Sequence, residues 1–98
     1  MLERIYSLLG LARRAGKITS GESQVEAMLK KKKGYLLILA EDAPGIHKKY
    51  EKWAEDLKLP VLIIGSKKDL GIAIGLSPRS SILVMDEGFA KAILKLRS

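Results

Sequence analysis

Apolar residues recur at helical spacing in the first third of the chain. Between Leu2 and Ala12 they return every three or four positions, which predicts a first helix that Gly16 ends. A second apolar stripe within residues 25–29 predicts another helix. Thr19 stands three residues before Glu22, the spacing of a capping box at the start of that helix. The chain is therefore predicted to open with two helices.

The rest of the chain alternates apolar runs of strand length with amphipathic helices. Continuous apolar runs at residues 35–40, 61–64 and 81–85 predict strands that are covered on both faces. Helical patterns follow them at residues 46–57, 66–74 and 86–96. Strands that alternate with helices predict the α/β class and a single-domain three-layer α/β/α sandwich over residues 1–98.

Positive charge is concentrated near the N-terminus. The chain has a formal net charge of +7, of which residues 1–33 carry +5 and the other 65 residues carry +2. Such an asymmetry predicts a basic surface suited to a polyanion such as nucleic acid. Lys30 to Lys33 also suit the negative end of a helix dipole, however, and Gly34 is placed to form the left-handed cap. Charge alone leaves a solvated helix face as an equal alternative.

Composition and motifs exclude several kinds of site. The chain has no cysteine, which excludes disulfides, thiolate zinc sites and a cysteine nucleophile. Its single histidine, His47, is expected at the surface, and no glycine-rich phosphate-binding motif occurs. The apolar run Leu36 to Ala40 is too short to cross a bilayer, and the N-terminus lacks a signal-peptide core. We expect a soluble cytoplasmic protein without membrane contact.

Two acidic residues are the candidates for catalysis. Glu41 and Asp42 follow a predicted buried strand, where α/β enzymes often place acids. No nucleophile–base pair is evident beside them in the sequence, and such acids also form turns and helix caps. We expect no enzyme, and catalysis by these two carboxylates is the less favoured alternative.

A binding surface is predicted at loops and at one helix end. A helix N-terminus presents unpaired N–H groups and partial positive charge, and Gly21 permits close approach to the backbone there. Arg13, Arg14 and Lys17 precede this point in the chain, while the loop at residues 76–80 adds apolar surface and a cation. These groups suit contact with the backbone and bases of a nucleic acid.

Four sequence blocks, in this order and spacing, resemble the kink-turn-binding ribosomal protein superfamily that contains the archaeal ribosomal proteins L-seven-Ae and L-thirty-e. The blocks are K-I-x-x-G at Lys17 to Gly21, L-x-I-L-A-E-D-A ending at Ala43, G-S-K-x-x-L-G at Gly65 to Gly71, and S-P-R-S-S-I-L-V from Ser77. The resemblance covers Leu2 to Ile93. It implies a mixed, mostly buried sheet of about four strands, no cofactor and no catalysis.

The resemblance also implies recognition of a kink-turn, a sharply bent RNA duplex with tandem sheared G·A pairs beside a bulge. In the family, a G-[ST]-N-E-x-x-K motif at the start of the second helix meets the G·A pairs, and a loop before the last strand covers the bulge bases. Here the motif glycine is Gly21, and Glu22, Ser23, Gln24 and Ala27 stand at its other positions. Members of the bacterial ribosomal-protein-like branch can keep S-G-E at this helix start, which accounts for Glu22.

The sequence therefore predicts a monomeric, non-enzymatic RNA-binding protein of that bacterial branch, associated with the ribosome. Its partner would be a structured RNA: rRNA, an mRNA leader or another kink-turn RNA. The predicted RNA-binding residues are Arg13, Arg14, Lys17, Gly21, Glu22, Ser23, Gln24, Leu76, Pro78, Arg79 and Ser80. The alternative is a protein-interaction or assembly factor that keeps the fold without specific RNA recognition, with Lys30 to Lys33 and the Lys48–Lys49 helix as its contact surface.

Overall fold

Residues 2–97, the part of the chain that the computed structural model describes, form five helices and four strands. In chain order they are α1 (Leu2–Arg14), β1 (Ile18–Ser20), α2 (Glu22–Lys30), β2 (Leu36–Leu39), α3 (Pro44–Leu57), β3 (Val61–Ile63), α4 (Lys67–Ala73), β4 (Ser81–Val84) and α5 (Glu87–Arg97). Within these residues no helix is both long and apolar enough to cross a membrane.

The four strands form one mixed sheet in the order β1-β4-β2-β3. Strand β4 is antiparallel to both of its neighbours, whereas β2 and β3 run parallel and are joined through α3. The register pairs Ile82 with Ser20 on one side and with Ile38 on the other. As a result β1, β2 and β3 all end, and β4 begins, at the same end of the sheet, which we call the carboxyl end.

Helices cover both faces of the central strands β2 and β4, which are apolar on both sides. The prediction that the strand at residues 61–64 is covered on both faces is wrong, because β3 lies at the sheet edge and leaves Val61 and Ile63 exposed. In β2, Leu36 and Ile38 pack in one core cluster with residues of α1, α4 and α5, and Leu37 and Leu39 pack in a second cluster with residues of α2 and α3. All four of these β2 side chains are at most 2% exposed. The predicted three-layer α/β/α sandwich with a mixed, mostly buried sheet is confirmed.

The predicted capping box at Thr19 is wrong. Thr19 lies inside β1, opposite Leu83 of β4. Helix α2 begins at Glu22, and Gly21 is its N-cap without any side-chain hydrogen bond. A three-residue strand is too short to show a period-two pattern, so pairing with β4 rather than local periodicity determines this segment.

The residue that closes α2 in the left-handed conformation is Lys32, with φ of 57°, and not Gly34 as predicted. The N–H of Lys33 donates to the carbonyl of Met28 at 3.0 Å and that of Lys32 to the carbonyl of Leu29 at 2.9 Å. These two bonds form a Schellman motif. Gly34 is required for another reason, because a Cβ there would lie 2.6 Å from Cδ1 of Leu83.

Two other predicted caps are confirmed. The hydroxyl of Ser66 accepts a hydrogen bond from the N–H of Asp69 at 3.0 Å, at the start of α4. The carboxylate of Asp86 accepts one from the N–H of Phe89 at 2.9 Å, at the start of α5. Both caps satisfy a first-turn donor that the helix itself cannot pair.

Candidate functional site

The carboxyl end of the sheet brings the start of α2 and the loop before β4 together. The N–H of Gly21 donates to the carbonyl of Ser81 at 3.3 Å. The Nε–H of Arg79 donates to the hydroxyl of Ser20 at 3.2 Å. Two segments that are more than fifty residues apart in sequence thus form one surface. We call Gly21–Gln24 together with Leu76–Ser80 the helix–loop surface.

The loop is held in shape largely by Arg79. Its Nη1 donates to the hydroxyl of Ser77 at 2.7 Å and to the carbonyls of Ser77 and Pro78 at 3.1 and 3.2 Å. Its backbone N–H donates to the carbonyl of Lys67 at 3.0 Å, which ties the loop to the start of α4. A Cβ on Gly71 would overlap the carbonyl oxygen of Ser77. The loop is therefore preorganised against α4, and only glycine at position 71 lets it pack there.

The start of α2 is an open helix N-terminus. Gly21 has φ of 92° and ψ of 143°, a conformation that side chains strongly disfavour. A Cβ there would lie 3.0 Å from Oε1 of Gln24, so the Gln24 side chain folds back over the glycine. No side chain caps the helix, and its first-turn N–H groups carry partial positive charge. Ser23 and Gln24 are both exposed beside them.

Helix α3 holds the other side of this helix start. The Nζ of Lys49 lies 2.6 Å from Oε2 of Glu22 and 2.5 Å from Oε2 of Glu26. The hydroxyl of Tyr50 donates to the backbone carbonyl of Glu22 at 3.3 Å. Hydrogen bonds that the Lys49 ammonium donates to Glu22 and Glu26 raise its pKa, and burial raises the pKa of the Tyr50 hydroxyl. Both groups therefore stay protonated at neutral pH.

The predicted basic residues are distributed less compactly than the sequence suggested. Lys17 lies at the opposite end of β1, where its carbonyl accepts from the N–H of Met85 at 2.8 Å. At a rise of about 3.3 Å per residue, the four-residue step along the strand places it about 13 Å from Gly21. Arg13 and Arg14 end α1, in the other helix layer, and line a groove of about 550 Å³ that Gly75 also lines.

The loop residues differ in exposure. Leu76 is half-buried and packs against the core cluster under α1, α4 and α5. Pro78 is exposed, while Arg79 and Ser80 are half-buried. The structure thus unites Gly21–Gln24 with the loop and separates Lys17 from both. It places Arg13 and Arg14 in a groove with Gly75, the residue that precedes the loop.

One of the two acidic candidates for catalysis, Asp42, has a structural partner. Oδ1 of Asp42 accepts from the N–H of Lys67 at 3.0 Å and so caps the start of α4. Within residues 2–97 no group of three His, Cys, Asp or Glu side chains could hold a metal ion. His47 is half-buried rather than a surface residue, with its Nε2 2.7 Å from the carbonyl of Ala40, a bond that requires the proton on Nε2.

Sequence reasoning missed the contribution of α3. Lys49 is 27 residues from Glu22 along the chain, so no local motif joins them. The available indication was that Glu22 and Glu26 stand four residues apart and share one helix face, where two like charges favour a cationic partner from another element. Ser20 was missed as well, because its strand was not predicted.

Comparison with known proteins assigns this arrangement to a family. Residues 3–94 match the ribosomal protein L7Ae/L30e/S12e/Gadd45 family. The chain belongs to this family. The match runs from α1 into α5 and includes both segments of the helix–loop surface. The family assignment predicted from the four sequence blocks is confirmed.

Relatives of this L7Ae-family protein are found in bacteria and archaea. The RNA-binding protein YlxQ of Bacillus subtilis (strain 168) is 36% identical over 92 residues, which cover 93% of this chain and 92% of YlxQ. The large ribosomal subunit protein eL8 of Thermoplasma volcanium is 27% identical over 95 residues, which cover 95% of this chain and 78% of eL8. A solved structure of a Bacillus halodurans protein of unknown function shares 39% identity and superimposes with a TM-score of 0.87 over 94% of each chain.

Proposed function

We propose that this protein is a non-enzymatic, cytoplasmic RNA-binding protein that recognises a kink-turn or a related structured RNA and acts with the ribosome. The observation that carries the proposal is the junction of the open α2 N-terminus with the preorganised loop, made by the Arg79–Ser20 and Gly21–Ser81 hydrogen bonds. Family membership supports RNA as the partner, since YlxQ is an RNA-binding protein and eL8 a protein of the large ribosomal subunit.

Each part of the helix–loop surface suits a different part of a bent RNA. The hydroxyl of Ser23 and the amide of Gln24 both donate and accept hydrogen bonds, as base edges in an opened groove require. The exposed ring of Pro78 offers apolar surface to a base that has left the stack. Arg13 and Arg14, in a groove with Gly75 before the loop, suit phosphates of the flanking helix.

The decisive measurement is a titration of the protein with a kink-turn RNA and with a straight duplex of matched length, each at two salt concentrations. We expect tighter binding to the kink-turn at both concentrations, and weaker binding to both RNAs as salt rises. Equal affinity for the two RNAs would contradict the proposal and leave a nonspecific basic protein.

Ser23→Ala tests whether the first turn of α2 reads the RNA. Loss of one neutral hydrogen bond, worth about 0.5–1.5 kcal/mol, predicts a reduction of roughly 2- to 10-fold in kink-turn affinity with little change for the duplex. Ser23→Thr is the matched control, because it keeps a hydroxyl at the same exposed position and should bind the kink-turn like the wild type. Equal losses from the two substitutions would exclude a hydrogen bond from the Ser23 hydroxyl to the RNA.

A further inference from the structure

Two carboxylates stand on the helix whose start is proposed to meet RNA. Glu22 and Glu26 are four residues apart on α2 and face α3. Like charges at this spacing repel each other, and each would repel an approaching phosphate. A helix start meant for a polyanion therefore needs something to offset these two charges.

Lys49 meets that need from α3. Its ammonium contacts both carboxylates, at 2.6 Å and 2.5 Å, and thus lowers the local charge from −2 to −1. The neighbouring Tyr50 holds the backbone of Glu22 through its hydroxyl at 3.3 Å. Consecutive residues of α3 thus fix both the side chain and the carbonyl of the first residue of α2. We call Lys49, Glu22 and Glu26 the Lys49 clamp.

The Lys49 clamp also separates the charged side chains at the start of α2 from the uncharged ones. Glu22, although itself exposed, and Glu26 contact Lys49 of α3, and the exposed Ser23, Gln24 and Ala27 beside them are uncharged. The residues left outside the clamp are uncharged, so they add no repulsion to the attraction of the first-turn N–H groups for anions. Single ion pairs at a protein surface contribute little to folding stability, so the main consequence of the clamp is electrostatic rather than structural.

We propose that Lys49 is a positioning residue for RNA binding, which holds the carboxylates of Glu22 and Glu26 away from the phosphates and keeps the α2 N-terminus open to a polyanion. This inference rests on the proposed function. Lys49 itself contacts its two glutamates and need not touch the RNA. Its effect should therefore disappear when those glutamates are neutral.

The test is a set of substitutions that distinguishes the effect of the position of Lys49 from the effect of the net charge of the protein. Lys49→Met is expected to weaken RNA binding about tenfold, within the usual range of coupling between contacting residues. Lys48→Met removes the same charge from the adjacent exposed position, where no ion pair is described, and is expected to cost about twofold or less. Adding Glu22→Gln and Glu26→Gln to Lys49→Met is expected to restore binding to within about twofold of the wild type. Lys49→Met with Glu51→Gln and Glu55→Gln, two exposed carboxylates of α3, has the same net charge and should not be restored to the same extent. Lys49→Arg should bind like the wild type.

Equal losses from Lys48→Met and Lys49→Met, or no rescue by the two glutamine substitutions, would overturn the proposal. Thermal unfolding of every variant distinguishes weaker binding from partial unfolding. The rescue supports the proposal only if the thermal midpoint is the same before and after the two glutamine substitutions are added. The variants are compared with the wild type on one RNA at a time. If the wild type binds kink-turn and duplex equally, the proposed function fails while the clamp is still tested; if it binds neither, both fail.

Discussion

The two ends of helix α2 are built in opposite ways. At the N-terminal end, Gly21 and Glu22 are fixed by β4 and by α3, through contacts that span long stretches of sequence. At the C-terminal end, the exposed Lys30 to Lys33 are closed by backbone bonds within their own segment. Among residues 2–97 these four lysines make no described ion pair or side-chain hydrogen bond.

The two ends of α2 therefore differ in kind: the N-terminal end has polar groups in fixed positions, and the C-terminal end has exposed positive charge. A nucleic-acid partner is distinguished from another by groups held in fixed positions, whereas mobile surface charge strengthens binding to any polyanion. The lysine run is the most conspicuous nucleic-acid feature of the sequence, yet the fixed polar groups lie at the opposite end of the same helix. We therefore expect discrimination between RNAs to come from the N-terminal end and general affinity from the C-terminal end.

Substitution of Gly21 is expected to have the largest effect. Gly21→Ala forces a Cβ into a backbone region with φ of 92° and against Oε1 of Gln24 at 3.0 Å. Strain of this kind costs on the order of 1–3 kcal/mol, so we expect a lower thermal midpoint and a kink-turn affinity reduced about tenfold or more. Titration with kink-turn RNA and thermal unfolding measure the two effects.

Gly45→Ala is the matched control. Gly45 lies in the first turn of α3, and a Cβ there would meet nothing within 4 Å. Alanine favours a helix over glycine, so this variant should be as stable as the wild type or more stable by up to about 1 kcal/mol, with unchanged RNA binding. If the two glycine variants behaved alike, the special role of the N-terminal end would be wrong.

Neutralising the lysines at the C-terminal end of α2 should weaken RNA binding without changing the ratio of kink-turn to duplex affinity. Replacing Lys30 to Lys33 together by glutamine is expected to weaken kink-turn and duplex binding by the same factor. It should also make the logarithmic salt dependence shallower, by about 0.9 in slope for each phosphate that these lysines neutralise in the wild type. A reduced ratio of the two affinities would contradict this. Intact RNA binding with loss of a protein partner would support the assembly-factor alternative.

Much of the fold could be predicted because it depends on repeated patterns. The apolar run of β2 and the amphipathic face of α3 each extend over enough residues to show their period. The candidate site depends on tertiary contacts that leave no repeated pattern in the sequence. The three residues of β1 are strand because β4 lies beside them, and the Lys49 clamp joins positions 27 residues apart. Family resemblance located the helix–loop surface, but the bonds that Arg79 uses to shape it follow only from the tertiary structure.

The smallest expected effect tests whether the C-terminal end of α2 contributes only charge. Lys32 has φ of 57°, a conformation that costs a non-glycine residue on the order of 1 kcal/mol. Lys32→Gly removes that cost but loses more backbone entropy on folding, so we expect a gain of a few tenths of a kcal/mol in denaturant unfolding. Lys32→Ala removes the same charge but keeps the Cβ, so it should give no such gain. Both variants should leave the ratio of kink-turn to duplex affinity unchanged. If glycine alone altered that ratio, the backbone at this end would take part in recognition, and the contrast between the two ends of α2 would have to be abandoned.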